Sequence, residues 1–366
     1  MIKESNILIN LNESILNEVP TKDMEVFYNP IMQINRDLSC LLLYSLKKMG
    51  HRIENIALPT CGSGIRGIRF LKNIENLKIY FNDLNPKAID SVKENLKINN
   101  LLEKKENYEL SINDANLFLL NNKFDYIDID PFGSPNPFLQ SAILSLTHDG
   151  ILAVTATDTA AFCGTYPRAT LRKYFSKSIR TPYMHEFGIR ILIKHIIEIA
   201  SQFEIAMIPI FYHSNDHYFR VYLKKLKSKS RTLELIKEIK NVEVDDKNNF
   251  FIKELGESYT IGPMYVGKLK RFEGLFEEMN KNKDLLNLDK KSIKLFSKIN
   301  EELDEFCFYN LHEISRNNST NPISIKKVIE NTKATRTHFC DNSVKIENKE
   351  ELFNFIEKNS NVNKKD

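Results

Sequence analysis

Tryptophan is absent from the 366 residues, and cysteine, glycine and proline are sparse at 5, 12 and 12. So few glycines and prolines exclude collagen-like and Gly/Pro-rich low-complexity chains. The cysteines are Cys40, Cys61, Cys163, Cys307 and Cys340. Odd in number and widely spaced, they speak against a disulfide framework and a CxxC zinc site, and predict a reducing, cytoplasmic setting with no metal. No uncharged apolar run approaches the roughly 20 residues of a membrane span. The most apolar helix-like stretch, Ile189 to Ala200, is interrupted by Arg190, Lys194, His195 and Glu198. The first residues, MIKESNILIN, lack a basic stretch followed by an apolar one, so no secretory leader is expected. A strong excess of one charge is missing too. Lys+Arg 52 against Asp+Glu 48 leaves +4, which does not by itself indicate nucleic acid.

What is present is an ordinary globular composition, 42% hydrophobic and 27% charged. At roughly 150 residues per domain, the length suggests two domains. The first half alternates strand-like and helix-like segments. Strands are expected at Ile53–Leu58, Leu77–Leu84, Tyr108–Ile112, Phe124–Ile129 and Ile151–Ala156. A closing antiparallel pair follows at Ile205–Ile210 and Tyr218–Leu223. Helices lie between them, one starting at Asn85-Pro86 with Ile89, Val92, Leu96 and Ile98 on its apolar face. This alternation predicts an α/β fold with a mostly parallel sheet. Near Lys224 the pattern weakens, and Lys224 to Lys240 carries seven positive charges against two negative. A domain seam is placed there, and a polar, frayed tail from Asn359 to Asp366.

Ligands of open parallel sheets bind at the carboxyl ends of the strands. After the first strand comes Gly62-Ser63-Gly64-Ile65-Arg66-Gly67, a G-x-G-x-x-G turn. Its glycines allow close backbone approach and its helix start offers free N–H groups. The motif is weak alone. Asp83 follows Gly64 by 19 residues, and a carboxylate there suits both hydroxyls of a ribose; taken alone, it is a helix cap. Asp114-Ala115 ends the third strand, where an acid can accept from an adenine amine or simply make a surface turn.

The fourth strand ends in Asp128-Ile129-Asp130-Pro131-Phe132-Gly133. An acid-Pro-aromatic turn suits methyl transfer to an exocyclic base amine, whose lone pair is delocalised into the ring. A carboxylate and a backbone carbonyl accept the amine hydrogens, orient the nitrogen and stabilise the developing positive charge. The aromatic residue stacks on the displaced base. The bland alternative is a Pro-rich turn with a packed Phe. Tyr166 to Lys194 carries Arg168, Arg172, Lys173, Lys177, Arg180, Arg190 and Lys194 against Glu186 alone, interleaved with Tyr166, Tyr174, Phe175 and Tyr183. Basic residues among aromatics suit RNA; the alternative is a solvated helix face. His185 is read as structural.

Assembled, these motifs resemble the tRNA (guanine-26, N2)-dimethyltransferase family. The resemblance is densest in DIDPFGSPNPF, VTATDTAAFCGTYPRATLRKY and RTPYMHEFGIRILI, from Asp128 to Ile191. VFYNPIMQINRDLS, GSGIRGIRF, IGPMYVGKL and TRTHF extend it over nearly the whole chain. It implies a Rossmann-like class I methyltransferase domain, residues 1–224, and a smaller α+β tRNA-binding domain, residues 225–366. It implies S-adenosylmethionine as donor and a tRNA guanine N2 as acceptor. Carried over by motif, Arg36, Arg66 and Asp83 would bind the donor, Arg36 through the methionyl carboxylate; the alternative for both arginines is a simple ion pair. Asp114 and Ala115 would touch its adenine. Asp130, with the Pro131 carbonyl, would be catalytic, and Phe27 and Phe132 would flank the guanine. The paired cysteines that suggest zinc in some family members are missing between Lys224 and Tyr265. Pro322 to Phe339 resembles a helix-turn-helix-like unit ending in a wing, expected to grip tRNA. A monomer is expected. The competing readings are a dinucleotide oxidoreductase, another exocyclic-amine methyltransferase, and a non-catalytic tRNA-binding protein.

Overall fold

A computed structural model describes residues 1–10, 26–215 and 217–359. Of the tail expected to be polar, only Asn359 falls within it, ending a helix; the rest lies outside the described residues. The sheet strands are β1 (Asn55–Leu58), β2 (Lys78–Asn82), β3 (Tyr108–Ser111), β4 (Phe124–Ile129), β5 (Leu146–Ala156), β6 (Ile205–Asn215) and β7 (Tyr218–Lys227). They hydrogen-bond in the order β3-β2-β1-β4-β5-β7-β6. The first five run parallel, and β7 is antiparallel to both β5 and β6. Chain order reverses between β1 and β4, and this opens a crevice at their carboxyl ends.

The helices are α1 (Gln33–Lys48), α2 (Ile65–Asn73), α3 (Pro86–Ile98), α4 (Ala115–Leu120) and α5 (Asn136–Ser145), followed later by the long helix Met184–Ser201. α3 starts as expected, with Asn85 accepting from the Lys87 N–H and Pro86 in the first position. Two glycines let α2 lie close to its neighbours. A Cβ on Gly67 would stand 2.4 Å from the Phe81 ring, and one on Gly64, at φ +73°, would stand 2.7 Å from Val92. β4 is buried at every position, so its two acids need partners. Asp125 accepts from the Glu54 and Asn55 N–H groups and from Thr147, which pins the starts of β1 and β5. Asp128 is answered by arginines, described below.

Three features depart from the sequence reading. First, an N-terminal hairpin, Ile2–Glu4 paired with Ile7–Ile9, was not foreseen. Asn99 and Asn95 of the α3 region bond its backbone and hold it against the domain. Second, β7 continues to Lys227, so the seam drawn at Lys224 falls inside the sheet. Leu235, Val242, Met264 and Leu269 pack into the same apolar cluster as β4 and β5. Helices Leu275–Asn282 and Lys290–Glu301 turn back onto α1, where the Asp289 N–H and Ser292 hydroxyl donate to Asp37. A separate apolar core, with Leu311, Val328, Val344, Leu352 and Ile356, begins only near Tyr309. The physical reason is burial: residues 228–308 have no core of their own and cover the methyltransferase core. Third, much of the foreseen charge excess is neutralised by partners. Lys225 is buried on the Ile143 and Leu146 carbonyls, and Lys224, Lys229, Arg231 and Lys240 are paired with acids.

The C-terminal core carries helices Leu311–Asn317 and Ile325–Asn331, then strands Thr335–Arg336 and Ser343–Lys345, antiparallel to each other. Of the unit expected from Pro322 to Phe339, one helix and the strand Thr335–Arg336 fall in that range; the other helix precedes it and the second strand follows it. No helix among the described residues is long and apolar enough to cross a membrane.

The long helix builds in a pH dependence. His195 is buried against Tyr174, with ring centroids 5.2 Å apart. Burial, helped by Lys194, pushes its imidazole down to about 4 from 6.5. A depressed folded value means that the unfolded chain binds the proton more tightly. The stabilisation is therefore complete above pH 6.5 and is lost as pH falls towards 4. Between pH 7 and pH 4.5 this one group should cost about 2–3 kcal/mol. Urea midpoints at both pH values measure it; His195→Gln should lose that much less stability, and an equal loss would clear His195.

Candidate active site

A cleft of about 450 Å³ opens at the carboxyl ends of β1, β2 and β4. Seven of the expected site residues line it: Phe27, Arg36, Arg66, Asp83, Asp130, Pro131 and Phe132. Asp114 and Ala115 do not. Asp114 caps α4, accepting from the Asn116 and Leu117 N–H groups, and is exposed.

Asp83 accepts from the Gly62 N–H at 2.9 Å and from the Asn85 N–H at 3.0 Å. Its carboxylate is thus held at the start of the glycine turn, each oxygen keeping further acceptor capacity for a ribose diol. Cys61 stands beside it. Burial, reinforced by Asp83, pushes this thiol well up, so it stays protonated.

Arg36 is less free than its motif suggests. Its Nε donates to Glu4 at 2.8 Å, a second nitrogen reaches the other Glu4 oxygen, and both terminal nitrogens donate to the Asn29 carbonyl. Of five N–H groups, one on NH1 is left for an incoming carboxylate. Burial would raise the Glu4 carboxyl, but Arg36 and then Arg69 outweigh it and hold it below the ordinary value.

Arg66 is turned onto the Asp130 carboxylate rather than standing open. It bonds Asp130 with one nitrogen, Asn35 (2.9 Å) and Ser39 (2.8 Å) with another, and lies 3.4 Å from Asp128. Asp128 in turn receives both terminal nitrogens of Arg220, at 3.0 and 2.6 Å, and the Tyr126 hydroxyl at 2.8 Å. Burial pushes the Asp128 carboxyl up, yet Arg220 and Arg66 prevail and hold it low. Behind them Arg69 joins Glu4 and Asp37. Four acids and four arginines therefore balance beside the cleft: Glu4, Asp37, Asp128 and Asp130 against Arg36, Arg66, Arg69 and Arg220.

The turn after β4 is fixed from the far side. The Gly133 N–H donates to the Thr157 hydroxyl at 2.6 Å, and the Thr157 N–H to the Gly133 carbonyl at 3.0 Å. Ser134 meets the Tyr174 hydroxyl, which also bonds Asp158. Asp130 and Pro131 are thereby held side by side in the lining of the cleft. Phe27 and Phe132 meet edge to face, with centroids 4.3 Å apart. A base sandwiched between two rings needs about 7 Å, so the expected flanking cannot occur in this arrangement. Phe132 is 46% exposed.

Sequence reading missed Glu4, Asn35, Ser39, Asp128 and Arg220. Asp128 carried a signal: a carboxylate in the middle of a fully buried strand needs buried partners. Of the basic segment, Arg190 and Lys194 are interior, while Arg168, Arg172, Lys177 and Arg180 are exposed beside exposed Tyr166 and Phe175.

A sheet of this order, a glycine turn, a ribose-type acid and an Asp-Pro-Phe turn define a class I S-adenosylmethionine-dependent methyltransferase acting on base amines. Residues 6–357 match the model of the N2,N2-dimethylguanosine tRNA methyltransferase family. The chain belongs to that family. It is 41% identical over 325 residues to the tRNA (guanine(26)-N(2)/guanine(27)-N(2))-dimethyltransferase of Aquifex aeolicus, covering 82% of each chain. It is 34% identical to the tRNA (guanine(26)-N(2))-dimethyltransferase of Methanocaldococcus jannaschii, covering 86% of each. The structure of Trm1 from Pyrococcus horikoshii with S-adenosyl-L-methionine superposes with a TM-score of 0.85 at 31% identity, over 97% of this chain and 98% of that one. The chain is an S-adenosylmethionine-dependent tRNA methyltransferase.

Proposed function

We propose that this enzyme methylates the N2 amine of guanine 26 in tRNA, once or twice, as a cytoplasmic monomer without bound metal. The observation that supports this reading is that Asp130 and Pro131 line one cleft together with Asp83 and the glycine turn. The cleft fits the donor: Asp83 is aligned for a ribose, and Arg36 keeps one N–H for a carboxylate. S-Adenosylmethionine supplies the electrophilic methyl group.

The residues of the chain do the rest. The N2 hydrogens point one to Asp130 and one to the Pro131 carbonyl, which aims the nitrogen lone pair away from them. As the nitrogen gains positive charge, the carboxylate stabilises it and accepts the departing proton. Arg66 fixes the carboxylate without occupying all of its lone pairs. Phe132 swings off Phe27 and stacks on the base, which must leave its helical stack to enter. The exposed cations from Arg168 to Arg180 and the C-terminal helices hold the RNA backbone.

The decisive experiment is methyl transfer to unmodified tRNA transcripts, followed by mapping of the modified nucleoside. N2-methylated or N2,N2-dimethylated guanine at position 26 is expected; methylation of another base atom would reject the reading. Guanine 27 is a second target to map, because the Aquifex relative carries it in its name. Phe132→Ala should lower kcat/KM for tRNA about 10- to 100-fold through lost stacking and leave donor affinity intact. An unchanged kcat/KM would remove Phe132 from base binding.

A further inference from the structure

A second cavity, also about 450 Å³, lies away from the methyl-transfer cleft and is used by no step above. It opens between the strand Phe250–Lys253 with its preceding turn and the C-terminal helices Leu311–Asn317 and Lys349–Asn359. Three rings form its wall. Phe250 and Tyr309 lie 5.6 Å apart at 39°, and Phe353 meets Tyr309 edge-on at 5.8 Å and 86°. This corner accepts a flat ring on one face while a second ring closes its edge.

The cavity is braced before any ligand arrives. The Asn248 amide donates to Glu313 Oε2 at 2.9 Å, and the Asn317 amide to the Lys247 carbonyl at 2.7 Å. The Tyr183 hydroxyl donates to the Asn248 carbonyl at 2.5 Å. Polar capacity is nevertheless left over. Glu313 Oε1, the Tyr309 hydroxyl and the Asn354 amide have no hydrogen-bond partner among the described residues. Burial pushes the Tyr309 phenol up to about 12, so it remains a neutral donor.

Nucleobases and guanidinium groups both meet aromatic rings with their faces and a carboxylate with an edge, and the lysines at this rim favour a base flanked by phosphates. Guanine matches best, because N1–H and the N2 amine put two donors side by side on one edge, and a carboxylate accepts both. Lys247 and Lys349 are exposed at the rim, where flanking phosphates would lie. Tyr183 links the wall to the segment bearing exposed Lys177 and Arg180. We propose that this cavity binds a second, unstacked guanine of the RNA, distinct from the one that is methylated. The proposal rests on tRNA being the substrate. It gives the C-terminal module a base-reading role in addition to backbone contacts.

The test uses the full chain, unmodified tRNA transcript and S-adenosylhomocysteine, with kethoxal as a probe of unpaired guanine N1 and N2. The wild type should protect a guanine other than the methylated one. Glu313→Gln should lose that protection and raise the KM for tRNA about tenfold, with the KM for S-adenosylmethionine unchanged. Phe353→Leu, which keeps the apolar volume, should weaken the same protection. Free GMP should compete with tRNA for the wild type and lose that competition in Glu313→Gln. Identical footprints in all three proteins, with KM values for tRNA within twofold, would overturn the proposal. Failure of the underlying reading would show separately, as wild-type protein that transfers no methyl group to tRNA.

Discussion

Asp130→Ala should lower kcat for methyl transfer by about three orders of magnitude while the Kd for S-adenosylmethionine stays within about threefold. The two halves of this expectation have different origins. Loss of rate follows from the chemistry: an aromatic amine is a poor nucleophile, and without the carboxylate only the Pro131 carbonyl orients it. Retention of donor binding follows from the packing. Arg66 loses one partner but keeps Asp128, Asn35 and Ser39. Asp83 and the glycine turn do not touch Asp130 in the hydrogen-bond network. The fold should therefore survive, and the defect should appear in single-turnover rates rather than in donor titrations. Asp130→Asn sharpens the point. Its amide oxygen turns to the Arg66 guanidinium, which leaves the NH2 group, a donor, facing the incoming amine. Turnover within tenfold of wild type in both variants would remove Asp130 from the mechanism.

The site was legible in the sequence wherever its function depends on the backbone path. Gly62 to Gly67, Asp83 and the Asp130-Pro131-Phe132 turn follow strands directly, and parallel topology brings strand ends together. Seven of the nine expected residues consequently line one cleft. What could not be read was how the charges inside that cleft are shared. Arg36 and Arg66 are motif residues, and their motifs suggest open cations. Their commitment to Glu4 and Asp130 is set by tertiary packing. Glu4 reaches Arg36 because an N-terminal hairpin folds over α1 and α3, a contact across 32 residues with no local signal. Arg220 arrives from β7, the last strand to join the sheet, 92 residues from Asp128. The domain seam failed for a related reason. A change in composition at Lys224 marks where the alternating pattern ends, but cores are shared across that point, and composition does not report sharing. The local excess of positive charge misled likewise, since a sequence count does not separate Lys225 or Arg190, which are interior, from Arg168, which is exposed.

The largest stability effect is expected at Asp128, where Asp128→Asn should destabilise the fold by about 3–5 kcal/mol. Arg220 is fully buried, and Asp128 is the one carboxylate it pairs with among the described residues. Removing that charge leaves four buried arginines facing three acids. Arg66 loses a carboxylate partner too and keeps Asp130. Thermal unfolding should fall by the order of 10 °C. The pH dependence has a defined sign. The folded Asp128 value is depressed, so its contribution is present above the unfolded carboxylate value near 4 and is lost as pH falls through the folded one. That window lies below the one assigned to His195, and acid titrations of Asp128→Asn and His195→Gln should separate the two. The paired replacement Asp128→Leu with Arg220→Met distinguishes stability from positioning. Exchanging a whole buried ion pair for apolar side chains should recover most of the lost stability. Catalysis should stay depressed, because Arg66 would still lack the Asp128 oxygen 3.4 Å from its Nε and would no longer be steered onto Asp130. If the double variant regains both stability and kcat, the buried arginine–aspartate ladder serves the fold alone; if it regains stability only, the ladder sets the position of the catalytic carboxylate.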